Sequence, residues 1–219
     1  MSDMELLLWA RGPGLQWALA IFIAGMLLRL IEIYSLGRKR DLSPARPGNV
    51  GAGWITIITR SIPHKELLRT TYLTYVLGYT FHIGLFVTLL LFAPHIQLFR
   101  SILGFGWPAL PSPVVDAVAL VSILALLGML VYRLYHPVKR FLTTFGDHAA
   151  WLLTLLPLLT GYLAFHHLLL PYTLMLAVHI LAVELLLVFM PFTKLAHVAT
   201  IFVSRWYNGD LLGHKGARL

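Results

Sequence analysis

His179-Ile-Leu-Ala-Val-Glu-Leu-Leu-Leu-Val-Phe-Met-Pro-Phe-Thr-Lys-Leu-Ala-His197 holds one carboxylate, one lysine and a histidine at each end. With the apolar run before it, the segment is long enough for one membrane-spanning helix. On such a helix, eighteen steps of about 100° bring both imidazoles back to one face. A rise of about 1.5 Å per residue then separates them by roughly 27 Å. A bilayer does not solvate a stray imidazole, so two aligned rings at different depths imply ligands for two stacked cofactors.

The rest of the chain supports a membrane setting. Of its 219 residues, 58% are hydrophobic and only 12% charged, about half the roughly 25% usual in soluble proteins. Mean hydropathy is +0.79. The expected fold is all-α, a single domain over 1–219 with five transmembrane helices near 15–33, 71–93, 114–132, 149–169 and 173–203. A tight turn is expected at Leu170–Pro171. The opening MSDMELLLWARGPG places acids before its first base and has no small-residue cleavage site, so no cleavable leader is expected. Cysteine is absent, which excludes disulfides, thiolate zinc and cysteine-held iron–sulfur clusters in this chain. A redox cofactor here must use His or Met.

The net charge of +8 follows the loops, which argues against nucleic-acid binding. Arg38, Lys39, Arg40, Arg46, Arg60, Lys65 and Arg69 lie between spans one and two. Arg133, Lys139 and Arg140 follow span three, and Lys194, Arg205, Lys215 and Arg218 sit toward the C-terminus. Arg11 and Arg100 are on the opposite side. The positive-inside rule puts the N-terminus out and the C-terminus in, across a prokaryotic inner membrane. Residues 35–69 read as an irregular segment with a short interfacial helix starting at Pro63. Residues 94–113 read as an amphipathic cap on the outer face. No internal repeat is present.

His82 lies deep in span two in Gly78-Tyr-Thr-Phe-His-Ile-Gly84. Gly78 and Gly84 would let a flat porphyrin approach, or equally let two helices pack. Spans two and five are antiparallel, so bis-histidine pairs can form at two levels. The inner level joins His82 to His197. The outer level needs a partner for His179, and His95 has the right depth. Thirteen residues from His82 turn a straight helix by about 220°, so His95 requires Pro94 to redirect the chain. His166 and His167 compete for that place, or bind a quinone. His64, 18 residues before His82, is an alternative inner ligand. His136, His148 and His214 read as solvated. Glu184 reads as a proton relay or a hydrogen-bonded carboxyl. Asp116 reads as a proton acceptor for a quinol or as a helix N-terminal acid.

Phe81-His82-Ile83-Gly84, Ala93-Pro94-His95, His179 and Met190-Pro-Phe-Thr-Lys-Leu-Ala-His197 together resemble the gamma subunit of respiratory nitrate reductase over spans two to five. That family has five spans and two b-type haems, and it oxidises quinol near the outer haem. The resemblance implies that His82, His179 and His197 are axial ligands. Where the family places its fourth ligand this chain has only Val87 to Phe92, and Val115 and Asp116 stand where it has a basic quinol-site residue. Trp9-Ala-Arg-Gly-Pro13 and Gly104-Phe-Gly-Trp-Pro-Ala-Leu-Pro111 look more like the membrane subunits beside heterodisulfide-reductase-like proteins. These include those of sulfite reductase complexes and sulfur-bacterial nickel–iron hydrogenases.

The expectation is a diheme cytochrome b subunit that carries electrons between a membrane quinone, at Asp116, His166 and His167, and a cytoplasmic iron–sulfur partner. That partner would be heterodisulfide-reductase-like or like the beta subunit of nitrate reductase. Such a subunit would not act on a soluble substrate alone. Lys194, Arg69 and Arg133 are candidates for haem-propionate or partner contacts. The alternatives are a haem-free anchor and a small proton-coupled transporter.

Overall fold

Away from water, backbone groups are satisfied by long helices or by a closed barrel, and the uninterrupted apolar runs of this chain suit helices; the computed structural model is built of helices alone among its described residues. Those residues are 2–37, 42, 44, 51–63 and 65–217. Five helices are long and apolar enough to cross a membrane, and the chain is a multi-pass membrane protein. They are α1 (Asp3–Ser35), α3 (Lys65–Leu91), α5 (Ser112–Tyr135), α7 (Phe145–Phe165) and α8 (Tyr172–Phe189). Four shorter helices lie at the ends of the bundle: α2 (Ala52–Thr59), α4 (Ala93–Leu103), α6 (Pro137–Leu142) and α9 (His197–His214). Ile31, Ile83 and Leu124 are exposed on the crossing helices, as lipid-facing positions should be.

The crossing helices pack in the order α3, α5, α7, α8, α1. Phe81, Ile123, Ala125, Leu126, Leu155 and Leu158 form the core where α3, α5 and α7 meet, and Trp151 Nε1 donates to the Leu126 carbonyl at 2.8 Å. Gly84 is needed where α3 crosses α5, because a Cβ there would overlap the Ser122 side chain. Of the two expectations for Gly84, helix packing is the one observed. No neighbour lies within 4 Å of where a Gly78 Cβ would be. α3 and α8 are not among the closely packed helix pairs.

Several boundaries differ from expectation. α1 begins at Asp3 rather than near Leu15, passing through a π-helical turn at Ala10–Gly14 that absorbs Pro13. The fourth crossing helix ends at Phe165, followed by a turn in which His167 and Leu169 take positive φ of 55° and 69°. The fifth does not run on to Val203. Pro191 removes a backbone donor and ends it, and two short 3-10 turns, Met190–Phe192 and Lys194–Ala196, lead to α9. Within 35–69, α2 was not expected. It packs on α9, with Gly53 against Trp206 and Gly209 against Thr56. Arg205 donates to the Ile57 carbonyl and to Ser61 Oγ at 3.0 and 2.7 Å, closing the C-terminal end of α2. The interfacial helix expected from Pro63 includes His64, which lies outside the described residues.

Gly84→Ala should therefore lower stability by about 1–3 kcal/mol through overpacking. Gly78→Ala should cost less, because no protein atom lies within 4 Å of the added Cβ. Thermal unfolding in detergent checks both.

Candidate metal centre: two paired histidines

The turn after α3 decides where His95 sits. Phe92 is extended at φ −84° and ψ 128°, and α4 starts at Ala93 with Pro94 in its first turn. Pro94 favours a fresh helix start over continuation, and the chain bends. His95 then folds back so that its Nδ1 meets the Thr88 carbonyl at 2.8 Å. The residues after α4 close the same end: the Trp107 indole donates to the Leu90 carbonyl, and the Leu110 amide donates to that of Leu91 at 2.9 Å.

Four histidines form two pairs. The His95 and His179 rings have centroids 6.2 Å apart and planes inclined at 22°. His82 and His197 lie 6.1 Å apart at 71°. The 27 Å straight-helix relation between His179 and His197 does not hold, because the helix breaks between them. His197 reaches its place at the first turn of α9.

The distances carry chemical meaning. A metal–imidazole bond is about 2 Å, so centroid separations of 6.2 and 6.1 Å leave space for one metal between the two rings of each pair. Among the described residues no group of three or more His, Cys, Asp or Glu side chains converges. Each pair thus brings together two imidazoles, and a metal held there would need further donors of its own.

The second nitrogen of each ring is occupied. His82 Nδ1 meets the Gly78 carbonyl at 2.7 Å, and His197 Nδ1 meets that of Lys194 at 2.9 Å. His179 Nδ1 lies 3.3 Å from Thr160 Oγ1, and Gly161 leaves room for its ring. A carbonyl accepts only from N–H, so Nδ1 carries the proton and Nε2 keeps the lone pair that a metal needs. Burial also pushes the His95 imidazole below its ordinary pKa, only partly offset by hydrogen bonds to the Thr88 and Leu89 backbone. This favours the neutral, ligating form.

The competitors are elsewhere. His166 Nε2 pairs with Asp116 Oδ1 at 2.8 Å, joining the end of α7 to the start of α5. His167 stacks on Tyr172 with ring centroids 4.7 Å apart, and neither it nor His166 faces His179. Phe165 links the dyad to the upper pair: its ring contacts those of His166 and Phe92, and Phe92 contacts His95. The dyad is thus two aromatic rings away from a paired histidine.

Lys194 and Arg133 both engage Asp147, at 2.7 and 3.3 Å. Sequence reasoning overlooked Asp147, whose only visible signal was an acid in a capping position after Thr144. His136 Nδ1 accepts from the Lys139 amide at the start of α6. Glu184 turns away from the histidines toward α1. It is buried against the π-helical turn at Gly14, and its Oε1 has no partner among the described residues.

The chain is thus a five-crossing helical membrane protein with two facing histidine pairs. A protein of Nitratidesulfovibrio vulgaris (strain Hildenborough), whose name states no function, is 31% identical over 209 residues, covering 90% of this chain and 89% of that one. This chain belongs to the same family as that protein. No protein-family profile matches the chain, and no solved structure matches it.

Glu184→Met should raise the thermal midpoint, because it removes a buried carboxyl oxygen that lacks a partner. Thermal unfolding of the two proteins in the same detergent checks this.

Proposed function

We propose that the chain is a diheme b-type cytochrome subunit, with His95 and His179 as axial ligands of one haem and His82 and His197 of the other. The observation that carries this reading is the pair of ring separations near 6 Å, each with Nδ1 already engaged. The open space beside Gly78 and the lack of close α3–α8 packing leave room for a flat ring system between the helices. Held by these two pairs, haem would supply one-electron transfer.

The chain's own residues deal with protons. His166 accepts a hydroxyl proton from a membrane quinol, and Asp116 stabilises the resulting imidazolium across their 2.8 Å contact. His167, stacked on Tyr172, lines the same end. The positive-inside rule supports a reading with this end outward and α2, α6 and α9 inward, in a prokaryotic inner membrane. The partner is a cytoplasmic iron–sulfur subunit docked on the inner face. Lys194 and Arg133 already share Asp147, so Arg69 is the remaining candidate contact from the sequence reading.

A reduced-minus-oxidised spectrum of the intact complex should show two b-type components. His82→Ala or His197→Ala should remove one, and His95→Ala or His179→Ala the other. A spectrum without b-type bands would leave a haem-free anchor or a proton-coupled transporter as the reading. His166→Ala should keep both haems and slow quinol-driven haem reduction by about 10²-fold or more; unchanged reduction would exclude the dyad from proton transfer.

A further inference from the structure

Between Phe189 and His197 the chain has no continuous helix to position a ring. Thr193, extended at φ −119° and ψ −179°, separates two 3-10 turns. Carbonyls freed by the break need new donors. Arg29 Nε supplies one to Pro191 at 2.9 Å, and Gly25 of α1 packs against the Pro191 ring. The next carbonyl that matters is that of Lys194, which accepts from His197 Nδ1. The Lys194 backbone therefore sets the direction of an imidazole, and its side chain is where an outside force can act on that backbone.

Asp147 applies that force. It sits in the first turn of α7, where Thr144 donates to it from both its amide and its hydroxyl, at 2.9 and 2.8 Å. These bonds aim the carboxylate away from its own helix. Oδ2 then holds Lys194 Nζ at 2.7 Å while Oδ1 faces Arg133 at 3.3 Å. Lys194 also reaches Thr144 Oγ1 at 3.3 Å, and Arg133 reaches Thr143 Oγ1 at 3.3 Å. Three helices, α5, α7 and the approach to α9, thus meet at one carboxylate.

We propose that Asp147 is a positioning residue for the His82–His197 pair: it clamps Lys194 so that the Lys194 carbonyl fixes the His197 ring. The inference rests on the haem reading for its spectroscopic consequence, but the clamp itself is a property of the chain. Removing the charge frees Lys194, loosens the carbonyl and lets the His197 plane rotate. Axial-ligand orientation and the hydrogen bond to the second nitrogen both tune a haem iron, so only one of two haems should respond.

The test uses the intact complex in detergent, comparing the parent protein with Asp147→Asn, Asp147→Glu and Lys194→Gln. Asp147→Asn should shift the midpoint potential and the low-spin ferric resonance of one haem, leaving the other unchanged. Lys194→Gln should do the same, the double variant should go no further than either single one, and Asp147→Glu should restore most of the parent signal. Limited trypsin digestion reads the clamp independently of haem: cleavage after Lys194 should be several-fold faster in Asp147→Asn. Unchanged cleavage overturns the clamp, and cleavage that quickens while both haem signals stay put overturns its action on His197. If Asp147→Asn does not accumulate, Lys194→Gln decides by the same single-haem shift. A parent protein without b-type bands would strike the haem reading alone, and the trypsin result would still judge the clamp.

Discussion

An imidazole has two nitrogens, and inside a bilayer each must find its partner within the protein. Water cannot cover an omission there. In three of the paired histidines Nδ1 is bound to a backbone carbonyl, and in the fourth it lies beside a threonine hydroxyl. Much of the rest of the structure supports those acceptors. The Thr88 carbonyl lies within reach because the chain turns at Phe92, and the Lys194 carbonyl lies in the break before α9. The acceptors of His95 and His197 thus stand where regular helix ends, whereas His82 uses the Gly78 carbonyl inside α3.

The two breaks are secured differently. At the α4 end, the chain from Gly104 to Pro111 folds over the terminus of α3, and Trp107 and Leu110 take up its last carbonyls. This seal is local, made by residues close in sequence. At the other end the partners are distant: Arg29 of the first crossing helix donates to the Pro191 carbonyl, and Asp147 of the fourth accepts from Lys194. One histidine pair thus depends on a compact turn, and the other on agreement between several helices.

Much of this was legible in the sequence. Five apolar runs specify five crossing helices because length and lack of charge leave a bilayer segment few other forms. The proline at 94 marked a redirection, since a residue without N–H starts helices more readily than it continues them. Pro191 carried the same signal, but the 18-residue spacing argued for a straight helix, and the spacing was followed. The pairing of His82 with His197 and of His95 with His179 came from depth alone, and depth survives a break that rotation does not. The α2–α9 contact was hidden because it depends on Gly53 and Gly209, which are unremarkable until two backbones approach. Asp147 was hidden because a capping acid looks the same whether or not a distant lysine reaches it. Gly78 and Gly84 show the same limit: identical residues near one histidine, one facing open space and the other filled by Ser122.

The packing of α2 on α9 also bears on when the protein becomes complete. Chains emerge from the ribosome N-terminus first and fold as they come. α2 must wait for α9, far downstream, and His82 and His95 must wait for His197 and His179 on α9 and α8. Until those helices are made, the early histidines lack the rings they come to lie beside. The approach of the rings at both levels and the sealing of the α2–α9 face therefore come together, once α8 and α9 have been added.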